Sequence, residues 1–165
     1  MRRISFVLLL TLLVSLLSAF DSAAAQGPKL KGEMKARRIV VNDKNEEVAV
    51  KADKVYPNDT IEYSLKYTNV GDQTADGVNL MGLIPEGTVY VESSATRNDR
   101  FEPLFSIDGG KSFHREPVEY FVVDSSGKQI RKTATPDMYT NIRWLVRSSL
   151  GVGEDVVVNY RVRVE

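Results

Sequence analysis

Cysteine is missing from this chain altogether. Its absence excludes a disulfide framework, a thiolate metal site and a lipid anchor attached through a cysteine, so the fold must be held by packing alone. Histidine is nearly as scarce. His114 is the only one, which excludes a His-based metal cluster; beside Arg115 and Glu116 it reads as an exposed base. Neither sign of charge is in excess, with 22 basic and 22 acidic residues, so nothing draws the chain generally to nucleic acid or anionic lipid. No nucleophile elbow, phosphate-binding loop or dinucleotide fingerprint occurs. Asp43, Glu46 and Glu47, and likewise Asp72 and Asp76, lack the dense, fixed spacing of a calcium loop.

What is present begins with a leader. Arg2 and Arg3 form a positive start, Ile4 to Leu17 an apolar run too short to span a bilayer, and Ala23-Ala24-Ala25 a small-residue cleavage signal. Residues 1–25 therefore read as a secretory signal peptide and 26–165 as one domain, with no further run long enough to cross a membrane. A chain of that size buries roughly 68–70% of its unfolded surface, enough for a core without staples.

The clearest pattern lies from Thr60 to Asn69, where Ile61, Tyr63, Leu65 and Tyr67 alternate with Glu62, Ser64, Lys66 and Thr68. That period is a half-buried strand. With the turns Asn69-Val70-Gly71-Asp72 and Pro85-Glu86-Gly87, the stretch Pro57 to Val91 reads as a core hairpin whose second strand runs from Gly77 to Ile84. Met34 to Val41 reads as a first strand, Glu47 to Val55 as an edge strand, and Val89 and Val91 as a continuation of the sheet. Glu102 to Ile107 and Lys111 to Phe113 flank the tight turn Asp108-Gly109-Gly110, and Val118 to Val123 pairs with Lys128 to Thr133. Asn141 to Val146 and Asp155 to Val164 alternate cleanly, the first with Ile142, Trp144 and Val146 on one face. Many short strands and no convincing amphipathic helix after the leader predict an all-β, antiparallel sandwich, with Trp144 and Tyr63 at its centre.

Taken together, Thr68-Asn69-Val70-Gly71, Pro85-Glu86-Gly87, Trp144 and Gly153-Glu154 resemble the conserved-repeat domain of unknown function often called the DUF-eleven family, over about Val48 to Val164. The resemblance implies an immunoglobulin-like sandwich in a bacterial or archaeal envelope or surface protein, and no catalytic residues or cofactor. The chain departs from that pattern in holding one copy and in an inserted hairpin region at about 97–135.

Two groups of residues stand out as candidate sites. Ser106-Ile107-Asp108-Gly109-Gly110-Lys111-Ser112-Phe113 is similar to the Asp-box, a hairpin in which Ser106, Asp108, Gly110 and Phe113 take structural roles. If the strands at Asn141 and Asp155 are neighbours, as their short Gly-rich loop suggests, Arg143, Arg147, Arg161 and Arg163 share one outward face, with Arg143 opposite Asn159. That stripe is either a solvated face or a docking surface for an acidic protein or anionic polymer. The expected function is a non-catalytic module of the periplasm or cell surface that binds an envelope protein or serves structurally. A carbohydrate-binding module that stacks sugars on Phe101, Phe105, Phe113, Tyr120 or Phe121 is the alternative.

Overall fold

A computed structural model describes residues 27–165, so the leader lies outside the described residues. Ten strands are formed: β1 (Leu30–Val41), β2 (Glu47–Lys51), β3 (Thr60–Asn69), β4 (Asn79–Leu83), β5 (Thr88–Tyr90), β6 (Phe101–Ser106), β7 (Glu119–Val123), β8 (Gln129–Thr133), β9 (Asn141–Val146) and β10 (Asp155–Val164). Among the described residues one 3₁₀ turn, η1 (Pro136–Met138), precedes β9. Every pairing is antiparallel, in sheets ordered β2-β1-β3-β10-β5, β4-β9-β6 and β7-β8.

The two larger sheets share one core. Alternation sends Ile61 and Leu65 of β3 and Val156, Val158, Tyr160 and Val162 of β10 inward, against Leu80 of β4 and Ile142, Trp144 and Val146 of β9. Trp144 is fully buried and lies 6.0 Å from the Tyr160 ring across the sheets. Gly82 makes room for both rings: a Cβ there would stand 3.0 Å from Tyr160 and 3.2 Å from Trp144. Tyr63 is only half-buried and stacks on Tyr160 at 5.2 Å, so the centre belongs to Trp144 and Tyr160.

Three expectations about neighbours are corrected. β3 and β4 form no hairpin, because residues 70–78 carry the chain from one sheet to the other. β9 and β10 likewise belong to opposite sheets; Leu150 is buried within their connection and bridges to Ala75. The inserted region is also smaller than 97–135: β6 pairs along β9 from Phe101↔Val146 to Ser106↔Asn141 as part of the core sheet. Lys111 to Phe113 forms no strand, only a single bridge between Phe105 and His114.

The motifs behind the family resemblance are latches between these elements. Buried Asn69 donates through Nδ2 to the carbonyls of Gln73 (2.8 Å) and Leu150 (3.0 Å), and its Oδ1 accepts from the amides of Lys29 (3.3 Å) and Gly71 (3.1 Å). Its backbone exchanges bonds with Gly153 and Glu154. Gly71 is needed for close approach, since a Cβ would fall 2.3 Å from the carbonyl oxygen of Gly27.

Candidate functional site

The polar turn after β6 decides where the next segment goes. Asp108 accepts from the Ser106 hydroxyl (2.7 Å), from the Lys111 and Ser112 amides (3.0 Å each) and from the Ser112 hydroxyl (2.6 Å). The Ser112 hydroxyl above all holds the carboxyl far below the usual carboxylate range. Gly109 and Gly110 take the positive φ that the reversal requires, and Phe105 and His114 exchange backbone bonds of 2.8 and 2.9 Å. Phe113 is thereby laid over the outer face of the β4-β9-β6 sheet, its ring 4.3 Å from the Arg143 guanidinium.

An ion-paired clamp fixes the next residues. Glu102 on β6 accepts from Arg115 through Oε1 and from Arg147 through Oε2 (2.8 Å), and its side chain is only 12% exposed. These bonds, Arg115 first, lower the Glu102 carboxyl to about 2. Because the folded value lies below the ordinary 4.5, the clamp's contribution to stability is complete above about pH 4.5 and is lost as pH falls towards 2. Urea melts across that window should show wild type losing more stability on acidification than Glu102→Gln. Parallel curves would mean that the clamp contributes nothing.

Beyond Arg115 the chain rises into the β7-β8 hairpin, rooted by buried Val118 and Ala134, which share a backbone bond of 2.8 Å, and by half-buried Tyr120. A groove of about 600 Å³ opens between hairpin and sheet. Its floor is Leu104, Leu145 and Phe113, and its far wall is Phe121 of β7; His114, Arg115, Pro117 and Glu119 form the rim. Phe121 is 66% exposed, as is Val123 on the same face of β7, and Glu119 is paired with Arg131 at 3.2 Å. An apolar floor with a rim of alternating charge can hold a mixed apolar and polar segment of a partner, or the face of a sugar ring.

Of the aromatic residues expected to act as platforms, Phe113 and Phe121 meet in this groove. Phe101 and Phe105 do not: both are buried on the core side of β6, Phe105 within 5.0 Å of the Tyr90 ring. Tyr120 faces the hairpin's root. The four arginines do not share a face. Arg143 and Arg147 lie beside the groove on β9 and just after it, whereas Arg161 on β10 pairs with Glu62 (3.0 Å) and Glu47 (2.7 Å) on the other sheet, with Arg163 two residues along. Arg143 stands opposite Met81 and Leu104, not Asn159. The sequence reading missed Leu104 and the Glu102 clamp, and it placed Leu145 outward beside Arg143 and Arg147 without giving it a role in a groove. The available signal was phase, since Leu104 and Leu145 are apolar at outward positions of their strands. Among the described residues no group of three His, Asp or Glu side chains is placed to hold a metal ion, and none forms a helix long and apolar enough to cross a membrane.

No protein-family model, curated protein or solved structure matches the chain.

Proposed function

We propose that this chain is a non-catalytic β-sandwich module, exported to the periplasm or cell surface, that works by binding another envelope protein through the β7-β8 hairpin and the groove beneath it. The observation carrying this reading is Phe121, a large aromatic side chain two-thirds exposed on a hairpin outside both main sheets. A two-stranded ribbon gains little stability from such a residue in water, and aromatic anchors of this kind dominate protein contacts. Export rests on the leader, and the envelope setting on the resemblance to the conserved-repeat family. Immunoglobulin-like describes the sandwich architecture in this reading and not the strand order: the last two strands of an immunoglobulin domain are neighbours, while β9 and β10 are not.

Phe121→Ser should leave the unfolding free energy from urea melts within about 0.5 kcal/mol of wild type, as surface changes do, while lowering recovery of a specific partner from envelope extract at least tenfold. Recovery equal to wild type would remove the hairpin from the function. A second reading, sugar binding, is favoured by the presence of both Phe113 and Phe121 in the lining of the groove. Saturable glycan-array binding that disappears in a folded Phe113→Ala variant would select it over protein docking.

A further inference from the structure

Two of the four edges of the two main sheets are closed by hydrogen bonds from the protein's own groups, and a third is flanked by η1. On β4, the Tyr67 hydroxyl donates to the carbonyl of Met81 (3.0 Å) and the Tyr160 hydroxyl to that of Leu83. On β6, Asn98 engages both backbone groups of Phe101, His114 those of Phe105, and Pro103 between them has no N–H. Beside β5 lies η1. Such capping is how sheets avoid pairing with another chain.

Among the described residues the fourth edge is left uncovered: it consists of β2 and, beyond it, residues 30–36 of β1, which pair with β3 alone. β2 pairs with β1 alone, and all five of its residues are at least partly exposed. The Asn42 amide bonds to the Glu46 carbonyl at 3.0 Å, which sets the alternation of the ladder: Val48 and Val50 turn their backbone groups to β1, and Glu47, Ala49 and Lys51 turn theirs outward.

We propose that β2 is a self-association edge, pairing antiparallel with β2 of a second copy of this chain about a two-fold axis at Ala49. The segment Glu47-Val48-Ala49-Val50-Lys51 is complementary to its own reverse. Ala49 meets Ala49 of the copy, Glu47 meets Lys51, and Lys51 meets Glu47, each pair formed by residues whose backbone groups already point outward. Val48 meets Val50 on the inner face, where Val48 is 39% exposed. Charge supports the same register. Across the outer face Arg161, Glu62, Arg37 and Lys51 stand directly opposite one another in succession, so Lys51 lies beside a like charge with only Asp53 as its partner. The copy's Glu47 would add the missing negative charge on its open side. Within one chain Glu47 is held by Arg161 through Oε2 at 2.7 Å, so forming the dimer contact exchanges or shares that pair. A two-fold interface of this kind closes on itself and gives a dimer with one continuous sheet, not a fibre. It leaves the hairpin groove free on each copy.

The test uses the chain produced with its leader and purified as processed. Sedimentation should show a concentration-dependent dimer whose dissociation constant rises at least roughly tenfold in Ala49→Pro, which removes an outward N–H without touching the β1-β2 ladder, and in Lys51→Glu, which opposes like charges twice. Circular dichroism confirms that both variants remain folded. The chain has no cysteine, so the register can be read directly. Ala49→Cys should oxidise to a covalent dimer, because residues paired in this way stand about 5.5 Å apart, within disulfide reach. Lys51→Cys should not, because two such residues would lie roughly 13 Å apart along the strands. A chain that stays monomeric at millimolar concentration, a dimer indifferent to Ala49→Pro, or equal cross-linking at 49 and 51 would each overturn the proposal.

Discussion

Trp144→Ala is expected to cost about 3–5 kcal/mol, the upper range for truncating a large buried aromatic side chain. The whole stability of an ordinary domain is about 5–15 kcal/mol, so the variant stands at the margin of folding. The size of the effect follows from what surrounds the ring. Trp144 is fully buried, faces Tyr160 at 6.0 Å, packs against Gly82, and donates from Nε1 to the Thr96 carbonyl at 3.0 Å. Alanine removes the contact that joins the two sheets and orphans a carbonyl of the loop that covers β10. Trp144→Phe separates these effects by keeping much of the volume and losing only the donor. Urea melts of both variants are the measurement, and a loss below about 1 kcal/mol for Trp144→Ala would be incompatible with a ring between two sheets.

A second large effect is expected at Asn69. Its side chain is fully buried and makes four hydrogen bonds to backbone groups of three separate segments, at Lys29, at Gly71 and Gln73, and at Leu150. Removing it leaves buried donors and acceptors without partners, each worth about 1–3 kcal/mol, although the Leu150 carbonyl keeps its bond from the Ala75 amide. Asn69→Ala should therefore lose about 2–4 kcal/mol in urea unfolding. Asn69→Asp tests the direction of the bonds. A carboxylate cannot donate to Gln73 and Leu150, so at neutral pH this variant should be at least as unstable as the alanine, and it should regain stability as acid protonates it. Equal stability of wild type and Asn69→Ala would mean that the latch holds nothing.

Face was legible in this sequence and neighbourhood was not. The limits of β3, Thr60 to Asn69, are those that alternation marks, and the inward sets of β9 and β10 follow from the same period because a side chain's parity depends only on its own strand. Which strand lies alongside depends on where the connections go. The Gly-rich segment after Val146 resembles a hairpin loop, yet it contains Leu150, an apolar residue that the core takes in, and it is tied to Ala75 and Asn69 as the chain crosses to the opposite sheet. The four-arginine face failed for this reason alone. The aromatic insert separated along similar lines: Phe101 and Phe105 belong to a core strand, while Phe113 reaches the groove only because the Asp108 turn folds it back. The groove needed Leu104, Leu145 and Phe121 from three distant segments, and no spacing along the chain records that meeting.

In the proposed function the hairpin face is where this chain meets another protein. A photo-cross-linking phenylalanine analogue at position 121, introduced into the chain in living cells, tests that most directly when compared with the same analogue at Val157, exposed on the outer face of the five-stranded sheet. One discrete protein adduct at 121, absent at 157 and abolished when Phe113 is also changed to Ala, is the predicted result. No adduct at 121, or the same adducts at both positions, would contradict it.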